Sequence, residues 1–126
     1  MAKQQIVTKS GAAPSGSYSQ GLRVGNFILV SGQGPFDPET GELVGETIEE
    51  QTAKTLENIK AILEAGNATM ADVVKVTVHL ADIDKFDRFD STYATFFPDP
   101  KPTRTTVGSQ LLGIKIEIDA MAYIDD

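Results

Sequence analysis

Residues 114–123 read IKIEIDAMAY, and they form the clearest strand pattern in the chain. Isoleucine and alanine occupy the even positions, while lysine, glutamate, aspartate, methionine and tyrosine occupy the odd ones. Side chains of a β-strand point alternately to opposite faces, so this alternation predicts a strand with one face in the core. Glu117 then lies on the opposite face.

Two helices are predicted upstream of this strand. Thr47 followed by Glu50 is a capping-box pattern, and apolar residues recur at helical spacing from there to Gly66, which is expected to end the first helix. Asp84 is predicted to cap the second helix, which ends before the prolines at 98, 100 and 102. Its aromatic residues lie three or four apart, and they are Phe86, Phe89, Tyr93, Phe96 and Phe97.

Further strands are predicted on both sides of these helices. The apolar run Asn26–Val30, bounded by Gly25 and Gly32, predicts a buried strand, and residues 103–108 predict another. Residues 37–41 predict a turn between the first strands and the first helix. A half-buried strand is predicted where apolar residues alternate with polar ones, at Val74, Val76, Val78 and Leu80.

The order of these elements favours an α+β domain, a mixed β-sheet with two helices packed on one face. A length of 126 residues suits a single domain, residues 1–126, with one core. The other face of the sheet is expected to be partly apolar, so a homo-oligomer is predicted. That face would carry Thr105, Val107, Met121 and Tyr123.

Composition and charge narrow the possible functions. The chain has no cysteine, which excludes disulfides, thiol nucleophiles and Cys-ligated metal sites and favours the cytoplasm. No apolar stretch has the length of a signal peptide or a membrane span. A formal net charge of −7 disfavours binding to nucleic acid, because phosphate backbones bind clustered cations.

Two features stand out in the sequence, but the residues alone assign neither of them a function. His79 is the single histidine, so a multi-histidine metal site is impossible, and its place on the polar face of a strand favours no catalytic role. Gly32-Gln33-Gly34 follows a strand but lacks the dinucleotide and P-loop fingerprints. These glycines permit tight turns, and they also let backbone approach a ligand closely.

Arg104 and Glu117 are the candidate functional side chains, and each has a structural interpretation as well. Arg104 follows the proline-rich connector, and on the residues alone a solvated or salt-bridged strand arginine is the favoured interpretation. Glu117 either pairs with Lys115 or another cation, or it holds and activates a water. The sequence patterns leave both questions open.

Four motifs together resemble one family: Gly16-Ser17-Tyr18-Ser19-Gln20, Ser31-Gly32-Gln33-Gly34-Pro35, Pro102-Thr103-Arg104, and residues 115–120, which read KIEIDA. By these motifs the chain is identified as a member of the reactive intermediate deaminases. These RidA or Rid proteins were formerly called YjgF-like and are also labelled endoribonuclease L-PSP. The resemblance implies a chorismate-mutase-like fold and a homotrimer with an inner β-barrel, with pockets between neighbouring subunits.

The resemblance also implies an activity, namely cofactor-independent hydrolysis of 2-imino acids and enamines, such as 2-aminoacrylate and 2-iminopropanoate, to 2-keto acids and ammonia. No metal is implied. Arg104 matches the arginine that grips the substrate carboxylate, and a planar guanidinium suits that task. Glu117 matches the water-holding carboxylate. The pocket is expected to be completed by Tyr18, Ser31, Gly32, Asp90 and Thr106.

Two positions depart from the family pattern, and the loop between Leu111 and Ile114 is shorter than usual. Asp90 stands where asparagine is common, and Thr106 stands where cysteine is common. An acidic Asp90 would disfavour a second carboxylate on the substrate. Three alternatives stay open: a pathway-specific deaminase for an aminomuconate-like acid, a non-catalytic carboxylate-binding or chaperone-like trimer, and a ribonuclease. The acidic charge argues against the last.

Overall fold

One six-stranded sheet and two α-helices make up the computed structural model, which describes residues 2–125. The strands are β1 (Gln4–Ile6), β2 (Gly21–Val24), β3 (Phe27–Gln33), β4 (Val73–Leu80), β5 (Thr103–Gly108) and β6 (Ile116–Tyr123). The helices are α1 (Ile48–Ala65) and α2 (Phe86–Ala94). Single helical turns precede β4 at Met70–Asp72 and α2 at Ile83–Lys85.

The sheet is mixed, as the order of elements predicts. Its strands lie in the order β1-β2-β3-β6-β4-β5, and all neighbours are antiparallel except β4 and β5, which run parallel. Both helices contribute to one core against the same face of the sheet, so the two-layer prediction is confirmed. β5 forms an edge of the sheet, and this position exposes its residues to a neighbour or a ligand.

Helix α1 begins and ends where the sequence predicts. The Thr47 hydroxyl accepts a hydrogen bond from the Glu50 backbone, the Glu50 carboxylate accepts from the Thr47 backbone, and Gly66 ends the helix. Its buried face includes Leu56, Ile59, Ile62 and Leu63, each with no exposed surface. Burial of each such side chain contributes about 1.5–3 kcal/mol, which anchors α1 firmly to the sheet.

The predicted alternation of β4 is wrong at its first position. Val74 is 44% exposed, and Val73 takes the buried place instead at 5%. The pairing with β6 shifts register between Val73 and Lys75, which indicates a β-bulge. A bulge inserts one extra residue, so the alternation of buried and exposed side chains that holds from Val76 onward does not extend back to Val74.

The boundaries of α2 also differ from the prediction. Asp84 does not cap α2, whose N-cap residue is Lys85 and makes no side-chain capping bond; Asp82 instead caps the preceding helical turn, where its carboxylate accepts from the backbone N–H of Asp84 at 3.0 Å. Because this turn leads directly into α2, the helical segment begins upstream of α2 itself. The helix ends at Ala94, so Phe96 and Phe97 lie beyond it, although the Phe97 ring still stacks on Tyr93 at 4.7 Å between centroids.

The face of the sheet away from the helices is exposed in residues 2–125. β6 buries Ile116, Ile118, Ala120 and Ala122 as predicted, but it starts after Ile114, because the Lys115 N–H donates to the Gln51 side chain at 2.9 Å. The prediction of a fully buried β3 is wrong for this chain, since Phe27 and Leu29 are 43% and 40% exposed. The expected partly apolar face is confirmed, and it includes Val107, Met121 and Tyr123.

Candidate active site

Arg104 lies on the helix-bearing face of the sheet, above the aromatic residues of α2. In the β4–β5 ladder it pairs with the buried Val76, which fixes its face. The central guanidinium carbon is 5.3, 5.4 and 4.6 Å from the ring centroids of Phe86, Phe89 and Tyr93. Such contacts favour a cation over an aromatic face. The sequence predicted these rings only as residues of the second helix, and their role under Arg104 was missed.

Asp90 binds one edge of the Arg104 guanidinium. Its Oδ1 accepts a hydrogen bond from Nη1 at 2.6 Å, and the two side chains are 45% and 21% exposed. A charge-assisted bond of this kind is short and directional. The ring contacts and this bond together hold Arg104 in one orientation.

Two buried hydroxyls in this region have no hydrogen-bond partner within residues 2–125. They are the Oη of Tyr93 and the Oγ1 of Thr106, which lies two residues beyond Arg104 on the same face of β5. Burial raises the pKa of Tyr93 to about 12, and the positive charge of Arg104 acts in the opposite direction. The hydroxyl therefore stays protonated at neutral pH. We call Arg104, Asp90, Tyr93 and Thr106 the arginine cluster.

Glu117 lies on the opposite, exposed face of the sheet, packed against Gly32. It pairs with His79 across the β4–β6 ladder and is half-buried. A Cβ at Gly32 would lie 2.9 Å from Glu117 Oε2, so a larger residue there would displace the carboxylate from its present position. Within residues 2–125 Glu117 forms no ion pair, so the pairing with Lys115 that the sequence allowed is not formed. The carboxylate is available for a water or a substrate.

Tyr18 and Ser31 lie on the same side as Glu117. The Tyr18 hydroxyl accepts a hydrogen bond from the Ser15 N–H at 3.0 Å, and the ring is 43% exposed. The Ser31 hydroxyl donates to the Ser19 carbonyl at 2.6 Å, which joins β3 to the segment before β2. An open cleft of about 430 Å³ includes Tyr18, Gly32 and Glu117 in its lining, and Ser31 lines an adjoining hollow. We call Tyr18, Ser31, Gly32 and Glu117 the glutamate cluster.

The glycine-rich loop after β3 is fixed to α1 by a buried asparagine. Asn58 Nδ2 donates to the carbonyls of Gly34 and Phe36 at 3.1 and 2.9 Å, and the residue is 1% exposed. Sequence reasoning missed this role. A polar residue on the predicted apolar face of α1 was the signal, because a buried amide requires partners.

The sequence-predicted site residues therefore form two clusters on opposite faces of one chain. Arg104, Asp90 and Thr106 belong to the helix-bearing face, whereas Glu117 and its neighbours belong to the exposed face. Side chains on opposite faces of a sheet point away from each other, with the sheet backbone between them. One subunit does not complete the site expected from the sequence.

The remaining candidates add no further catalytic group to either cluster. His79 Nδ1 lies 2.7 Å from the Ser109 hydroxyl on the exposed face. Within residues 2–125, no group of three or more His, Asp or Glu side chains could hold a metal ion. The same residues include no helix long and apolar enough to cross a bilayer.

Comparison with known proteins shows similarity along almost the whole chain. The profile described as endoribonuclease L-PSP matches residues 8–124. A RutC family protein of Pyrococcus abyssi is 49% identical over 125 residues, covering 98% of each chain. A 2-iminobutanoate/2-iminopropanoate deaminase of Salmonella typhimurium is 39% identical over 122 residues, covering 93% of this chain and 94% of that protein.

Solved structures share the fold. RidA from the Antarctic bacterium Psychrobacter sp. PAMC 21119 gives a TM-score of 0.92 at 39% identity, covering 96% of this chain and 99% of its own. Escherichia coli TdcF with bound serine gives a TM-score of 0.91 at 33% identity, covering 97% and 99%. At these identities the likeness extends to sequence as well as to the path of the chain.

Proposed function

Because the chain belongs to the Rid family, whose profile is described as endoribonuclease L-PSP, we propose that it hydrolyses reactive 2-imino acids and enamines to 2-keto acids and ammonia. The proposed substrates are of the 2-aminoacrylate and 2-iminopropanoate type, and the reaction takes place in the cytoplasm without a cofactor. The relative named as an imine deaminase supports the general reaction class.

The orientation of Arg104 is the observation that carries this proposal. Three rings lie against the guanidinium and Asp90 holds one edge, so its remaining N–H groups form a fixed fork at the edge of the sheet. A planar fork binds a carboxylate through parallel hydrogen bonds. Serine, the ligand of the E. coli TdcF structure, carries such a carboxylate.

In the proposed mechanism, Arg104 grips the substrate carboxylate and Glu117 orients a water toward the imine carbon. Enamine substrates enter this step as their imine tautomers. Attack by this water forms a C–O bond while one proton of the water passes to the imine nitrogen. In the resulting carbinolamine, the hydroxyl proton passes to the amino group as the C=O double bond forms and the C–N bond breaks. The products are a 2-keto acid and ammonia. Tyr18 donates a hydrogen bond to the substrate, and the backbone at Ser31 and Gly32 lines the pocket. Since the imine carbon is already electrophilic, positioning provides most of the required acceleration.

The proposed assembly is a homotrimer with an inner β-barrel, in which each site lies between neighbouring subunits. The placement of the two clusters on opposite faces supports a shared site. The exposed apolar side chains of the sheet support burial against other copies, since Phe27, Leu29, Val107 and Tyr123 are each about two-fifths exposed. Each subunit then supplies an arginine cluster to one neighbour and a glutamate cluster to the other.

The direct test is keto-acid formation from 2-aminoacrylate generated in situ by a serine or threonine dehydratase. We expect the wild-type protein to accelerate release of pyruvate and ammonia above the uncatalysed background. Absence of acceleration with 2-aminoacrylate and with larger 2-imino acids would contradict the proposed reaction.

Replacement of Gly32 by alanine tests the role of Glu117 without changing its charge. We expect Gly32→Ala to fold normally but to lose about 10- to 100-fold in kcat, because the new methyl group displaces the carboxylate that orients the water. Gly108→Ala is the matched control, since a Cβ there makes only ordinary contacts of 3.5 Å or longer. A Gly32→Ala protein with wild-type kcat would contradict the water-orienting role.

A non-catalytic carboxylate-binding trimer is the second candidate, favoured by the serine bound to E. coli TdcF. It requires the same Arg104 fork but no activated water. Titration of a 2-keto acid onto the protein, together with no ammonia release, would select this candidate. A pathway-specific deaminase acting on an aminomuconate-like acid belongs to the same reaction class but differs in that its substrate carries a second carboxylate.

A further inference from the structure

We infer that Asp90 restricts the site to substrates with a single carboxylate. This inference rests on the proposed grip of Arg104 on the substrate and adds the class of substrate that the grip accepts. Imino acids with uncharged side chains are accepted, and dicarboxylates, which include aminomuconate-like acids, are disfavoured.

The guanidinium of Arg104 has only part of its perimeter free. Its central carbon lies within 5.4 Å of three ring centroids, so Phe86, Phe89 and Tyr93 fill the space on its faces. Asp90 occupies the Nη1 position at 2.6 Å. The substrate carboxylate therefore binds the in-plane N–H groups that Asp90 leaves free. Asp90 and the substrate carboxylate then share the positive charge of one guanidinium.

Two cations that are close to the arginine cluster in sequence are already engaged. Arg88, two residues before Asp90 on α2, donates twice to Glu49, at 2.8 Å each. Lys101, three residues before Arg104, donates to the carbonyls of Ala94 and Phe97 after α2. Neither is free to balance a second carboxylate on the substrate.

The charges of the complete site give the same result. Arg104 and Asp90 cancel, and Glu117 from the other cluster adds one negative charge. The hollow beside the glutamate cluster is lined by Lys3, Lys75 and Asp119, which leaves one positive charge, but the cleft that contains Glu117 is also lined by two further carboxylates, Asp37 and Glu39. A substrate with one carboxylate binds the fixed cation of Arg104 and adds one negative charge to the site, whereas a dicarboxylate adds two.

The test compares binding of 2-oxobutanoate, a monocarboxylate, with binding of 2-oxoglutarate, a dicarboxylate, by isothermal titration calorimetry. We expect Asp90→Asn to improve the affinity for 2-oxoglutarate about tenfold relative to that for 2-oxobutanoate, because one unit of repulsion across a few ångströms is removed while an acceptor for Arg104 remains. Asp87→Asn removes the same charge from an exposed position on α2 and is expected to leave the affinity ratio unchanged.

Two results would overturn the inference: an unchanged ratio in Asp90→Asn, whether both affinities fall or stay the same, or an equal change of ratio in Asp87→Asn. An Arg104→Ala variant separates this failure from failure of the proposed grip. If Arg104→Ala binds both keto acids as wild type does, the grip itself is wrong. If it loses both while the ratio in Asp90→Asn is unchanged, only the selectivity is wrong. These binding measurements do not depend on turnover.

Discussion

Arg104→Ala is expected to lower kcat/KM for 2-aminoacrylate hydrolysis by about 100- to 10,000-fold. Hydrogen bonds to charged groups contribute about 1.5–3 kcal/mol each, so loss of two such bonds from the substrate carboxylate accounts for this range. The measurement is keto-acid release with 2-aminoacrylate generated in situ, with wild type and variant side by side.

Folding of the Arg104→Ala variant has to be tested separately, because Asp90 loses its partner. Asp90 is 45% exposed, so water is expected to solvate the free carboxylate and the unfolding midpoint to change little. Arg88→Ala is the matched control, since Arg88 is an exposed arginine of α2 paired with Glu49. A wild-type rate in Arg104→Ala, or an equal loss in Arg88→Ala, would contradict the carboxylate grip.

Mixed trimers of Arg104→Ala and Glu117→Ala chains are expected to recover about a third of the wild-type activity, although each variant alone has little activity. If each site combines the arginine cluster of one chain with the glutamate cluster of its neighbour, every trimer that contains both variants has both residues intact at about one of its three sites. The measurement uses differently tagged chains, co-expressed and purified through both tags, with turnover assayed per chain.

The control for this experiment replaces the Glu117→Ala chain by the double variant Arg104→Ala/Glu117→Ala. With Arg104→Ala as its partner, no arrangement restores a complete site, so we expect no recovery. If verified mixed oligomers of the two single variants also remain inactive, the site is not shared between subunits. A site within one chain would require Arg104 to leave the helix-bearing face of the sheet.

Elements with strong local signals were predictable from sequence. The capping box at Thr47 and Glu50 and the stop at Gly66 mark both ends of α1 within the chain segment itself. The period-two alternation of β6 predicted which face is buried and placed Glu117 on the other face. Arg104 and Glu117 became candidates through motifs whose residues are contiguous in sequence. In each case the information lies within a few residues, where backbone geometry and side-chain direction are coupled.

The tertiary structure alone decided the features that depend on contacts between distant segments. Asp90 binds Arg104 across 14 positions, and Asn58 reaches Gly34 across 24. The bulge at Val73 arises in the pairing of β4 with β6, and no residue within β4 indicates it. Sheet pairing also separated the arginine and glutamate clusters onto opposite faces. Local periodicity records which side of its own element a residue occupies, but only packing of whole elements determines what that side meets.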